Sequence, residues 1–242
     1  MSSTSYKSGS EKKRTGALTR RGFVIGLPFA LAACQSQRPS TSIASLAPPQ
    51  FFGGGGDVTY GGFNYASAYA PINDNGFLLP AIQYQNFDPV YLRQYVSYPT
   101  QYEPGTIVVD PRSKFLYLIE PGGQAIRYGI GVGREGFAWS GEARVGYKRV
   151  WPKWFPPDEM IARQPELAKY DDGMDGSPAN PIGARGLYLW QGNKDTLYRI
   201  HGTNQPESIG TNASSGCIRL WQQDIIDLYD RVPLDAKVVV LA

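Results

Sequence analysis

Leu197-Tyr198-Arg199-Ile200-His201-Gly202-Thr203-Asn204-Gln205-Pro206-Glu207-Ser208-Ile209-Gly210-Thr211-Asn212-Ala213-Ser214-Ser215-Gly216-Cys217-Ile218-Arg219-Leu220 contains the chain's single histidine and one of its two cysteines. Residues 197–200 alternate apolar and polar, the period of a half-buried strand, so His201 is expected at that strand's end, where Gly202 lets the backbone turn. A second turn, Ser214-Ser215-Gly216, delivers Cys217. A thiol near its ordinary pKa is only slightly ionised at neutral pH. An imidazole within reach can take its proton and return it to a leaving group, which makes Cys217 and His201 a candidate nucleophile and base. A lone cysteine is more often a small buried hydrophobe, and a lone histidine a satisfied loop residue. Here the cysteine lies in a Ser/Gly-rich turn, and the histidine opens a Gly-Thr turn.

Outward from this stretch the chain reads as short strands. Ile107-Val108-Val109-Asp110, Phe115-Leu116-Tyr117-Leu118-Ile119-Glu120 and Ala125-Ile126-Arg127-Tyr128-Gly129-Ile130 are separated by the turns at 111–114 and 121–123. That spacing predicts a meander of hairpins. Residues 142–150, 185–190 and 196–200 continue the β pattern, and Lys237-Val238-Val239-Val240-Leu241 predicts a last strand inside the sheet. Helices are expected from Asp158 to Arg163, and after an Asp224 cap with Ile225, Leu228, Tyr229 and Val232 as the apolar face. The fold class is therefore mainly β, a sandwich-like domain over residues 104–242 with short peripheral helices. A composition of 28 Gly and 19 Pro in 242 residues fits loops and strands rather than a helical bundle.

The formal net charge of +3 does not indicate a nucleic-acid partner. Lys7, Lys12, Lys13, Arg14, Arg20 and Arg21 stand against Glu11 alone in residues 1–33, so the balance turns negative from Cys34 onward. A basic segment, an apolar run over 23–33 too short to span a bilayer, and then Cys34 read as an export signal over residues 1–33. Arg20-Arg21 is similar to a twin-arginine signal, and Leu31-Ala32-Ala33-Cys34 to a lipoprotein box in which Cys34 is lipidated. A periplasmic or cell-envelope protein anchored to a membrane by its lipid is expected. Lipidation of Cys34 leaves Cys217 as the remaining thiol in a disulfide-permissive compartment, which suggests function.

Residues 34–87, rich in Ser, Gln, Pro, Gly and Tyr, predict a flexible tether, and residues 88–103 a lead-in whose Val90, Leu92 and Val96 dock on the domain edge. The tether's aromatics, among them Tyr65 and Tyr69, either stack on a glycan or are ordinary linker residues. Gly131-Val132-Gly133-Arg134-Glu135-Gly136 matches G-x-G-x-x-G but is followed by Phe137-Ala138-Trp139-Ser140-Gly141 rather than a helix, so no cofactor is expected. Asp171, Asp172 and Asp175 match no calcium-loop spacing, and no metal is expected.

His201-Gly202-Thr203 with Ser214-Ser215-Gly216-Cys217-Ile218-Arg219-Leu220 resembles the signature of the YkuD-type L,D-transpeptidases, cysteine enzymes of peptidoglycan. Pro104 to Asp110, Trp154-Phe155-Pro156-Pro157 and Asn180-Pro181-Ile182-Gly183-Ala184-Arg185 extend the resemblance over about residues 104–241. It implies acyl transfer on peptidoglycan stem peptides, with Cys217 as nucleophile and His201 as general base and acid. Gly216, Ser215 and Gly202 would support the oxyanion site. Arg219 and Thr203 would contact substrate, with Arg219 either forking a carboxylate or locked to local carbonyls. Many members carry a second histidine where this chain has Ser215, so His201 inherits the base role alone. The acceptor is another stem or an outer-membrane protein. The rival readings are a carboxypeptidase that uses water and a non-catalytic peptidoglycan-binding lipoprotein.

Overall fold

The computed structural model describes residues 59–133, 139–214 and 216–242. The export signal, Cys34, Arg134 to Ala138 and Ser215 lie outside the described residues. Four short strands come first: β1 (Thr59–Tyr60), β2 (Phe63–Asn64), β3 (Ile72–Asp74) and β4 (Phe77–Leu79), with helix α1 (Tyr65–Ala68) between β2 and β3. Then follow β5 (Gln94–Ser97), β6 (Ile107–Asp110), β7 (Phe115–Glu120), β8 (Gln124–Gly129), β9 (Val132–Gly133) and β10 (Gly141–Val150). After α2 (Asp158–Arg163) come β11 (Arg185–Gln191), β12 (Lys194–His201), β13 (Asn212–Ser214), β14 (Ile218–Arg219), α3 (Gln222–Arg231) and β15 (Lys237–Val240).

Nine strands form one mixed sheet in the order β14-β12-β11-β10-β15-β6-β7-β8-β5. β6 and β15 carry near-continuous Val/Ile runs, so they bury both faces, pair in parallel and take the middle of the sheet. The expected hairpin meander is β6-β7-β8, antiparallel throughout. β10 bulges between Val145 and Tyr147, where a Cβ on Gly146 would stand 2.5 Å from the Trp190 ring. One face of the sheet packs Ile107, Leu116, Ile126, Val145, Leu187 and Ile200 with Ile225 and Leu228 of α3 into a single core. Burying a side chain of that size contributes about 1.5–3 kcal/mol. This face therefore fixes which strand residues point the other way, among them Arg199 and His201.

Two expectations change. The tether expected over 34–87 is a packed structure from Thr59 onward. Asn64 accepts the Ser67 N–H and starts α1, which places Tyr65 and Tyr69 one turn apart on one side. Both are buried and join Leu92, Ile209 and Trp221 in a second core, with the Tyr69 and Trp221 rings edge to face at 5.6 Å. Buried tyrosines cannot stack on a glycan. The lead-in likewise supplies β5, the edge strand beside β8.

Asp224 does not cap α3. Trp221 is the cap residue, and Asp224 sits in the first turn with no exposure, turned toward the N-terminal segment. Ile225, Leu228 and Val232 are buried and Tyr229 partly so, as the period predicts. The helix ends at Arg231, two residues before Pro233.

Candidate active site

β12 and β14 are parallel, with Ile200 opposite Ile218 and His201 opposite Arg219. Ile200 and Ile218 both enter the core, so the alternation of a strand puts Arg199, His201, Cys217 and Arg219 on the other face. Cys217 then falls opposite Arg199 and diagonal to His201. A hydrogen bond between the Arg199 backbone and the Cys217 thiol agrees with that placement. The edge is held in place by Gly131, which exchanges two backbone hydrogen bonds with Arg219 at 2.8 and 2.9 Å. A Cβ there would lie 2.5 Å from the Ser208 carbonyl oxygen, so the approach needs glycine.

His201 is 6% exposed, and its Nδ1 lies 2.5 Å from the Gly202 carbonyl oxygen. A carbonyl only accepts, so this contact is a hydrogen bond only in the tautomer that carries the proton on Nδ1 and leaves the lone pair on Nε2. Burial pushes the imidazole pKa down to about 4. The Gly202 and Ile182 carbonyls favour the charged ring, and Arg219 and Arg199 oppose it. Cys217 is half-buried, and burial pushes its thiol up, against the Arg199 hydrogen bond and the positive charges of Arg199 and Arg219. Burial thus favours the neutral form of both groups.

Gly216 has φ +133°, in the region that favours glycine, directly before Cys217. Gly202 has no room for a side chain, since a Cβ would stand 2.5 Å from Gln222 Oε1. Thr203, expected against substrate, is instead 3% exposed, and its hydroxyl accepts the Gln205 N–H at 3.1 Å. A side chain used to tie its own turn faces inward. Arg219 follows neither expected course in full: Nη1 donates to the Gln205 side-chain oxygen at 3.0 Å rather than to a backbone carbonyl.

Cys217 and His201 thus share one edge of the mixed sheet. The YkuD model, described as an L,D-transpeptidase catalytic domain, matches residues 104–240, more than half of the chain. This chain belongs to the YkuD family. The probable L,D-transpeptidase YbiS of Escherichia coli K12 is 29% identical over 145 residues, 58% of this chain and 45% of that protein. The probable L,D-transpeptidase ErfK/SrfK of the same organism is 32% identical over 144 residues, 56% of this chain and 43% of that one. The chain thus spans less than half the length of these curated relatives. A crystal structure from Brucella melitensis, described as a probable carnitine operon oxidoreductase, is 51% identical over 66% of this chain and 99% of that one, at a TM-score of 0.45. That description is of the other protein.

Two residues that support this YkuD edge carry no local signal in the sequence. Gln222 reads as an ordinary residue at a helix start, yet it is buried between the turns at 183–184 and 202–203. Gln205 reads as a loop polar residue, yet it holds Arg219. A hint for Gln222 lay in Gly183 and Gly202, the glycines that make room for its amide.

Proposed function

We propose that this chain is a cysteine acyltransferase acting on peptidoglycan stem peptides. The reading rests on the β12–β14 register, which sets Cys217 diagonal to His201 with Nδ1 of the imidazole already committed to a carbonyl. Nε2 of His201 takes the thiol proton as Cys217 Sγ bonds to the stem carbonyl carbon. Because both groups are neutral at rest, charge develops only with substrate in place. The backbone N–H groups at Gly216 and Cys217 receive the oxyanion. Collapse breaks the C–N bond, and His201 gives its proton to the departing D-alanine amine, leaving a thioester on Cys217. An incoming amine loses a proton to His201, forms the new amide and expels the thiolate, which takes the proton back. An amine acceptor yields a cross-link or a protein attachment, and water yields a carboxypeptidase.

Ser215 takes no part as a base, and Arg219, anchored at one nitrogen by Gln205, faces the site as the cation for a substrate carboxylate. Residues 1–33 direct export, and a diacyl group on Cys34 holds the protein in the cell envelope, which intact-mass measurement of the membrane fraction tests. The decisive experiment follows D-alanine release from tetrapeptide stems and acyl-enzyme mass. Cys217→Ala and His201→Ala should each lose about a thousandfold or more in rate while remaining folded. Release at the parent rate by either variant defeats its assignment.

A further inference from the structure

Gln222, the first residue of α3, spans two chain segments that meet beside the imidazole. Its Oε1 accepts the Ala184 N–H at 2.9 Å, and its Nε2 donates to the Thr203 carbonyl at 2.9 Å. Ala184 directly precedes β11, and Thr203 ends the turn that follows His201. The turn is tied a second time, through Gly202 N–H to the Arg185 carbonyl at 3.2 Å. Cβ atoms on Gly183 or Gly202 would each stand 2.5 Å from the Gln222 amide, so both glycines are needed for the bridge. The peptide whose carbonyl faces His201 Nδ1 is thus anchored at its two ends, by Arg185 on one side and by Gln222 on the other.

We propose that Gln222 is a positioning residue: its bridging amide fixes the Gly202 carbonyl against Nδ1 and thereby holds His201 in the tautomer that leaves Nε2 as the proton acceptor. The amide gives an acceptor to one end of the bridge and a donor to the other. An ionised carboxylate would meet the Thr203 carbonyl with a second acceptor, a protonated one would rebuild the bridge, and an apolar side chain of the same length loses both bonds. Loss of the anchor frees the turn to rotate the carbonyl away, and the ring then samples both tautomers. Gln222 touches neither thiol nor substrate, so its effect reaches the reaction only through His201. The role rests on His201 acting as the base, whereas the tautomer does not.

The chain has one histidine, so the imidazole nitrogen shifts in ¹⁵N-labelled protein report His201 alone. The charged groups that bear on this ring are Arg199 of β12 and Arg219 of β14, with the Cys217 thiol beside them, and all three stay unchanged in the variants. In the parent protein the shifts should show the Nδ1–H tautomer, and titration should find the ring neutral down to about pH 4. Gln222→Met should give a tautomer mixture and a midpoint below the parent's, because the Gly202 carbonyl that favours the charged ring is released. Acylation by a carbapenem, followed by intact mass, should slow by about tenfold or more. Parent protein in the Nε2–H form overturns the proposal without any variant. So does a folded Gln222→Met with parental tautomer, midpoint and rate. If His201→Ala acylates normally while the tautomer responds to Gln222 as described, the base assignment fails and the positioning stands.

Discussion

The protein buries ionisable groups in two places and treats them in opposite ways. At the β12–β14 edge, His201 and Cys217 face backbone carbonyls and two arginines, and both are held neutral. Beneath α3, Asp224 and Asp227 face Arg93, at 3.7 and 2.7 Å, with Tyr69 and Tyr128 hydrogen-bonded to the two carboxylates. Asp227 gains good partners, Arg231 among them, and falls below the ordinary carboxylate range. Asp224, fully buried with only a long tyrosine bond and a distant guanidinium, is pushed up to about 7. One region keeps charge out, as the proposed reaction would require. The other brings charge in to join the segment before residue 94 to the catalytic domain.

If the α3 cluster is structural and the edge chemical, they respond separately to mutation. The largest effect is expected from Arg93→Met, which leaves the buried Asp224 without a cation and the half-buried Asp227 with Arg231 alone, and should cost about 3–5 kcal/mol in urea unfolding. The rate of acylation per folded molecule should stay within about threefold. A variant that unfolds no more easily than the parent, or that loses its rate while folded, breaks the separation.

The second test uses pH. His201 has a folded pKa below its unfolded one, so the unfolded chain binds more protons between about 4 and 6.5, and its contribution to stability rises with pH across that window. Asp224 is the reverse: its folded pKa lies above the ordinary value of 3.8, so its contribution falls as pH rises from there to about 7. Each is worth on the order of 3 kcal/mol, and in the parent the two largely cancel. Relative to the parent at each pH, Asp224→Asn should gain stability steadily from pH 4 to 7. His201→Gln should gain most near pH 4 and lose that advantage by pH 6.5. Urea midpoints at half-unit intervals read both slopes, and equal slopes for parent and variants refute the buried-charge account of both regions.

The edge was legible in the sequence and the cluster was not. The strand that ends at His201, the glycines at 202 and 216 and the valine run at 238–240 are local signals, although Leu197, expected on the inward face, is exposed at a left-handed φ. Tyr65, Tyr69 and Arg93 lie in or beside a segment of low periodicity, and their burial depends on Trp221 and Asp224 far along the chain. Composition marks such a segment as a linker, because aromatic stacking between distant residues leaves no repeat. The spacing of Tyr65 and Tyr69 behind Asn64 was the local trace of α1. Asp224 failed as a cap for a related reason: its place before an apolar helical face suits a cap, but a partner 131 positions earlier in sequence claims its carboxylate.

The smallest effect lies on the site strand itself. Leu197, two residues before Arg199, has φ +65° and is 76% exposed. The Asp195 carboxylate accepts its N–H at 2.9 Å and helps hold this conformation. Left-handed backbone costs an L-residue about 1–2 kcal/mol, and an exposed leucine recovers little of it by packing. Leu197→Gly removes the steric cost and adds unfolded-chain entropy, so a net gain of about 0.5 kcal/mol is expected. Because the strain sits in the strand that carries His201, this substitution also asks whether the edge needs it. Higher stability with unchanged acylation confines the strain to the irregular stretch of β12 between Asp195 and Arg199. Higher stability with slower acylation shows that the kink at Leu197 helps aim the strand, and then both regions of the molecule trade stability for placement, one through a buried carboxylate and the other through its backbone.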